Sequence, residues 1–146
     1  MKDKIFTLKI SANQQVHRSI EITGDSSLYK LAEVILESID FEMDHAFGFY
    51  NNYKNIYKST EIYELFKDMP DGEPCPGAKG VKKQMVCDTF EPKKKMAFLF
   101  DYGDDWIFLV ECKNVTDPLP KTKYPRVIEK VGIAPEQYPD YDDEEE

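Results

Sequence analysis

Asp101, Asp104 and Asp105 lie within five positions of one another and run directly into Trp106, the chain's single tryptophan. Carboxylates at such close spacing are the oxygen donors that hard divalent cations take. The stretch is shorter than a dedicated calcium loop and lacks its regular oxygen spacing. Aspartate also serves turns, because it bonds its own backbone and tolerates left-handed geometry. The cluster is therefore read first as turn chemistry and second as metal ligands. No metal and no other cofactor is assigned.

Two further residues carry chemistry. His45 alternates onto the same strand face as Phe47 and Phe49. A lone histidine there is read as a satisfied core or strand-end residue, the sharper alternative being a ligand or general base beside the aspartates. Arg18 falls on the face of Val16, Ile20 and Ile22. A guanidinium on an apolar face must pair or snorkel to water. The expectation is an ion pair with Asp101, Asp104 or Asp105, in preference to an anion-binding arginine.

These side chains need a scaffold, and its centre is Met96 to Val115. Met96, Phe98, Phe100 and Tyr102 alternate with Ala97, Leu99 and Asp101. After Gly103-Asp104-Asp105, Trp106, Phe108, Val110 and Cys112 alternate with Ile107, Leu109 and Glu111. Period-two alternation marks two strands, and the Gly-Asp break marks their turn. Both faces are largely apolar, which predicts an interior pair with cover on each side.

Earlier in the chain, Ile5 to Ile10 and Val16 to Ile22 predict a first hairpin across a polar turn. Asp25 or Ser26 is the expected N-cap of a helix running to Ser38 or Ile39, with Leu28, Leu31, Ala32, Ile35 and Ile39 as its apolar stripe. A third strand spans His45 to Tyr50, and Gly48 within it signals a bulge or a close backbone approach. Ser59-Thr60 is read as the cap of a short helix over Glu61 to Phe66. Met69 to Gly80 holds three prolines and three glycines and reads as a surface loop, more a variable insertion than a lid or partner site. Tyr124 to Ile128 is a last strand or an extended segment. The assignment is an α+β domain over residues 1–138, followed by an acidic, mobile tail at 139–146.

Composition narrows the classes of partner. The formal net charge is −9, but six of the last seven residues are acidic, and without them 22 acids face 19 bases. A chain with pI near 4.8 and no basic stripe is a poor candidate for nucleic-acid binding. Three cysteines without a Cys-x-x-Cys pair fit reduced thiols in a cytoplasmic protein, Cys112 among them as a small buried hydrophobe. No signal peptide or membrane span is expected. The sequence does not set the oligomeric state.

Several stretches together resemble one family. Val16-His17-Arg18-Ser19-Ile20 is similar to its second strand, and Leu28 to Phe49 to its helix followed by an acid-x-His-x-Phe-x-Phe strand, with Glu42 or Asp44 as the acid. Phe98 to Trp106, FLFDYGDDW, resembles its signature turn. Tyr124-Pro125-Arg126 and Ala134-Pro135-Glu136 resemble its closing region. The family is the Ri-plasmid ORF-three-like group, also labelled a transposon-passenger protein. Val127-Ile128-Glu129-Lys130 replaces the segment the family usually carries there, which leaves a site built from that segment unsupported. The resemblance implies a prokaryotic protein with a compact, roll-like α+β fold, its mixed but largely antiparallel sheet packed on one main helix. It implies no activity.

Two functions follow as expectations. The preferred one is a non-catalytic binding or interaction module with a protein partner, using surface aromatics (Tyr50, Tyr53, Tyr57) and the acidic tail. The alternative is a metal-dependent hydrolase or nuclease, with the aspartates as ligands and His45 as base.

Overall fold

The computed structural model describes residues 1–139; the expected acidic tail lies outside the described residues but for Pro139. Seven strands form one sheet in the order β4-β3-β5-β6-β1-β2-β7. They are β1 (Ile5–Ser11), β2 (His17–Thr23), β3 (Phe47–Tyr50), β4 (Ile62–Glu64), β5 (Lys95–Phe100), β6 (Trp106–Thr116) and β7 (Arg126–Val131). Every pair of neighbouring strands is antiparallel. One helix, α1 (Leu28–Ser38), completes an α+β fold.

The predicted hairpin is β5 and β6, and it occupies the interior of the sheet. Phe98 pairs with Phe108, and Met96 with Val110. These side chains meet Phe6, Leu8, Ile10, Ile20, Ile22, Phe47 and Phe49 beneath α1 in the main core. The helix contributes Leu28, Leu31, Ala32, Ile35 and Leu36 to that core, the 3.6-residue stripe its spacing predicts. Each of these leucines and isoleucines contributes roughly 1.5–3 kcal/mol by leaving water.

The other face carries a smaller cluster of Tyr50, Ala97 and Leu99, with Ile56, Ile62 and Tyr102 against it. Tyr102 departs from the predicted alternation, which placed it with Met96, Phe98 and Phe100. Asp101 takes φ 65° at the end of β5, and this left-handed residue turns the next side chain onto the opposite face. The second face is covered only in part, since Ile107 is 44% exposed.

Two other expectations are corrected. The cap of α1 is Ser27, whose hydroxyl accepts from the Lys30 amide at 3.0 Å, one or two residues beyond Asp25 and Ser26. Glu61 to Phe66 is not a helix: Ile62–Glu64 is β4, paired with β3, and a short 3-10 turn follows at Leu65–Asp68. Sheet pairing overrides the cap-like Ser59-Thr60 there. Residues 69–80 form a largely exposed loop without helix or strand, as expected, fastened at its far end, where the Lys79 amide donates to the Ile62 carbonyl at 2.9 Å and its carbonyl accepts from the Glu64 amide at 2.8 Å.

Candidate functional site

The turn between β5 and β6 is built around Asp101. Its amide donates to the Ala46 carbonyl at 3.0 Å, and its Oδ1 accepts from the amides of Gly103 at 3.0 Å and Asp104 at 3.3 Å. Asp101 is 6% exposed, so one carboxylate oxygen is occupied in holding the turn. The other, Oδ2, lies 3.3 Å from His45 Nε2. The left-handed residues are Asp101 and Asp105, at φ 65° and 52°, not Gly103. This is the turn chemistry that the aspartate cluster predicts.

His45 precedes β3 rather than lying in it, and it packs edge-on to Phe100. Its Nε2 is 2.7 Å from the Tyr138 hydroxyl, which itself donates to Asp44 Oδ2 at 2.7 Å. With the tyrosine proton directed at Asp44, Nε2 must be the donor to the hydroxyl oxygen. The Asp44 bond pushes the Tyr138 pKa up to about 12, with burial adding to the shift. Gln137 completes the junction. Its Oε1 accepts from the Glu42 amide at 2.7 Å, and its Nε2 donates to the Glu42 carbonyl at 3.0 Å and to Asp44 Oδ1 at 3.1 Å. His45, Asp44, Asp101 and the segment at 137–138 thus form one network.

Beside it opens a cleft of about 590 Å³ lined by Asp104, Asp105, Trp106, Gln137, Tyr138 and Pro139. Asp104 and Asp105 are exposed, and no basic residue lines the cleft. Trp106 meets Phe41 edge-to-face at 4.9 Å. Its Nε1 is buried and makes no hydrogen bond among the described residues, an arrangement that costs about 1–3 kcal/mol. Among those residues, no group of three or more His, Cys, Asp or Glu side chains is placed to hold a metal ion. No described helix is long and apolar enough to cross a membrane.

Arg18 does not belong to this site. It is 4% exposed on the apolar face, as its position in the alternation predicts, but the expected ion pair with a turn aspartate is absent. Its Nε donates to the Ser38 carbonyl at the end of α1, and its Nη1 to the carbonyls of His17 and Val131, each at 2.9 Å. The helix end and β7 supply acceptors nearer than any carboxylate, and a cation there also meets the negative pole of the helix.

A model of the plasmid pRiA4b ORF-3-like proteins matches residues 4–140. The chain belongs to that family. The fold also resembles the crystal structure of a protein of unknown function, MM3350, from Methanosarcina mazei Go1. The two share 21% identity and a TM-score of 0.72, over 89% of this chain and 71% of that one. No curated protein matches.

Sequence reasoning grouped Arg18 and His45 with Asp101, Asp104, Asp105 and Trp106; the structure gathers all but Arg18 around one turn and its adjoining cleft. It missed Gln137 and Tyr138, which come from a distant segment with no periodicity to mark them. It also took Tyr50 for a surface aromatic. Tyr53 and Tyr57 are exposed, but Tyr50 is 5% exposed on the second face.

Proposed function

We propose that the chain is a non-catalytic binding module, one domain over residues 1–138, that presents the cleft beside Asp104, Asp105 and Trp106 to a basic segment of a protein partner. The observation that carries this reading is the lining of the cleft: two exposed carboxylates and an indole, with no cation to neutralise them. Cationic side chains suit such a surface through charge and through the aromatic face. The formal net charge of −9 for the chain has the same sign. The His45 network supports the non-catalytic reading, because its Nε2 is engaged with the Tyr138 hydroxyl and Asp101 Oδ1 with the amides of the turn. We place the module in the cytoplasm of a prokaryotic cell, in keeping with its unpaired cysteines.

Trp106 is the sole tryptophan, so its fluorescence reports on the cleft. Titration with an oligolysine peptide should shift its emission, with an affinity that weakens as salt rises. Asp104→Asn should weaken the peptide several-fold. Unchanged emission with peptide, or equal affinity in the variant, defeats the proposal.

The 3.3 Å approach of His45 to Asp101 favours the hydrolase or nuclease as a second reading. Mg²⁺, Mn²⁺ or Zn²⁺ should then raise the melting temperature, and Asp104→Ala should abolish the rise.

A further inference from the structure

A second cavity, of about 250 Å³, opens on the sheet face away from α1. Leu99, Ile56 and Ile62 supply apolar wall, Tyr50, Tyr102 and the buried Glu64 supply polar groups, and the exposed Asp105 stands at the border. Glu64 is 4% exposed. Its Oε2 accepts from the Tyr50 hydroxyl, and its Oε1 accepts from the Cys75 amide at 2.7 Å. The hydroxyls of Tyr50 and Tyr102 are 2.8 Å apart. Burial holds both tyrosines well above their ordinary pKa, so they act as hydroxyl groups. The backbone is shaped to admit them. A Cβ at Gly48 would lie 2.8 Å from the Tyr102 oxygen and 2.9 Å from the Tyr50 oxygen.

The Glu64 carboxylate is incompletely matched. A carboxylate offers about four acceptor sites, and neutral donors fill two here. Among the described residues no basic group lies within salt-bridge distance of it, and none lines the cavity. A buried carboxylate is costly unless a cation pairs with it. Apolar walls ending in an unneutralised carboxylate describe the complement of an ammonium group on a hydrocarbon body.

We propose that this cavity binds a small organic monocation with an apolar body, of the alkylammonium or arylalkylammonium class, with Glu64 as counter-ion. It is somewhat smaller than the roughly 300–1,000 Å³ of drug-sized sites, so the ligand is correspondingly small. The site is separate from the partner cleft, although Asp105 borders both.

Cys75 provides a readout the cleft does not share, being exposed and part of the cavity wall. Alkylation of the intact chain by iodoacetamide is followed at Cys75 by peptide mass mapping. Saturating 2-phenylethylammonium should slow it about tenfold, and the neutral isostere 2-phenylethanol should do so less than about twofold, because pairing with a buried charge outweighs area alone. Glu64→Gln should abolish the difference between the two compounds. Tyr102→Phe, which keeps the charge and the fold, should retain the preference for the ammonium. Equal protection by the alcohol, no protection by either compound, or an unaltered preference in Glu64→Gln overturns the proposal.

Discussion

Arg18 Nε donates to the Ser38 carbonyl at 2.9 Å, tying the second strand to the last turn of the helix. Nη1 adds the Val131 carbonyl, so one buried side chain joins β2, α1 and β7. Removing it leaves the buried Ser38 carbonyl short of a donor, at about 1–3 kcal/mol, and the part-buried His17 and Val131 carbonyls at less. Arg18→Met should therefore lose roughly 3 kcal/mol in urea unfolding, and Arg18→Lys nearly as much, because an ammonium lacks the fork that reaches both acceptors. No carboxylate takes part, so the loss should be the same in low and high salt. A variant as stable as the parent would refute this role.

Gln137 pairs with the Glu42 backbone as a neighbouring strand would. Gln137→Ala should open that junction locally rather than unfold the sheet. Hydrogen exchange at the Glu42 amide should quicken by about tenfold or more, with little change in melting temperature. Exchange that is unaltered would show that the segment at 137–138 is held by something else.

Lys94 Nζ lies 2.8 Å from Glu61 Oε1 and 2.9 Å from its Oε2. Burial alone raises the Glu61 pKa, but the bonds from Lys94 and Tyr63 outweigh it and leave the pKa below its usual value. A depressed carboxylate stabilises the fold above its unfolded pKa of about 4.3 and loses that contribution as pH falls through the folded value. Comparing acid unfolding of the parent with Glu61→Gln should show a gap of about 1 kcal/mol near neutrality that closes at low pH. A gap constant with pH contradicts the assignment.

The two sheet faces should respond unequally. Phe98 is fully buried, with ring centroids of Phe47, Phe49 and Phe108 within 6.1 Å. Phe98→Ala should cost about 3–5 kcal/mol. Ile107, on the partly covered face, should cost less than about 1 kcal/mol when changed to alanine. Comparable losses at both positions would mean that the second face is buried against a partner in solution.

The parts of the fold legible in the sequence were those that repeat. Alternation placed β1, β2, β5 and β6, and the stripe from Leu28 to Ile39 placed the helix, because burial on one face imposes a period. Where backbone geometry breaks a period, alternation misleads. Asp101 at φ 65° sends Tyr102 to the face opposite Phe100. β4 was hidden because three residues are too few to show alternation. At the site, Asp101 and His45 drew notice through their residue types. Arg18 was rightly placed inside but wrongly partnered, since backbone carbonyls leave no mark in a sequence. Glu64 was invisible for a related reason: only the pairing of β3 with β4 brings it to Tyr50.

The strand order carries a cost in time. The hairpin of β1 and β2 lies between β6 and β7, with Ile5 opposite Thr116 and His17 opposite Val131. On a ribosome adding roughly 5–20 residues per second, that hairpin waits on the order of ten seconds with both flanks open. Its neighbours are the last of the seven strands to be made, so the sheet closes around the hairpin only after most of the domain has been synthesised.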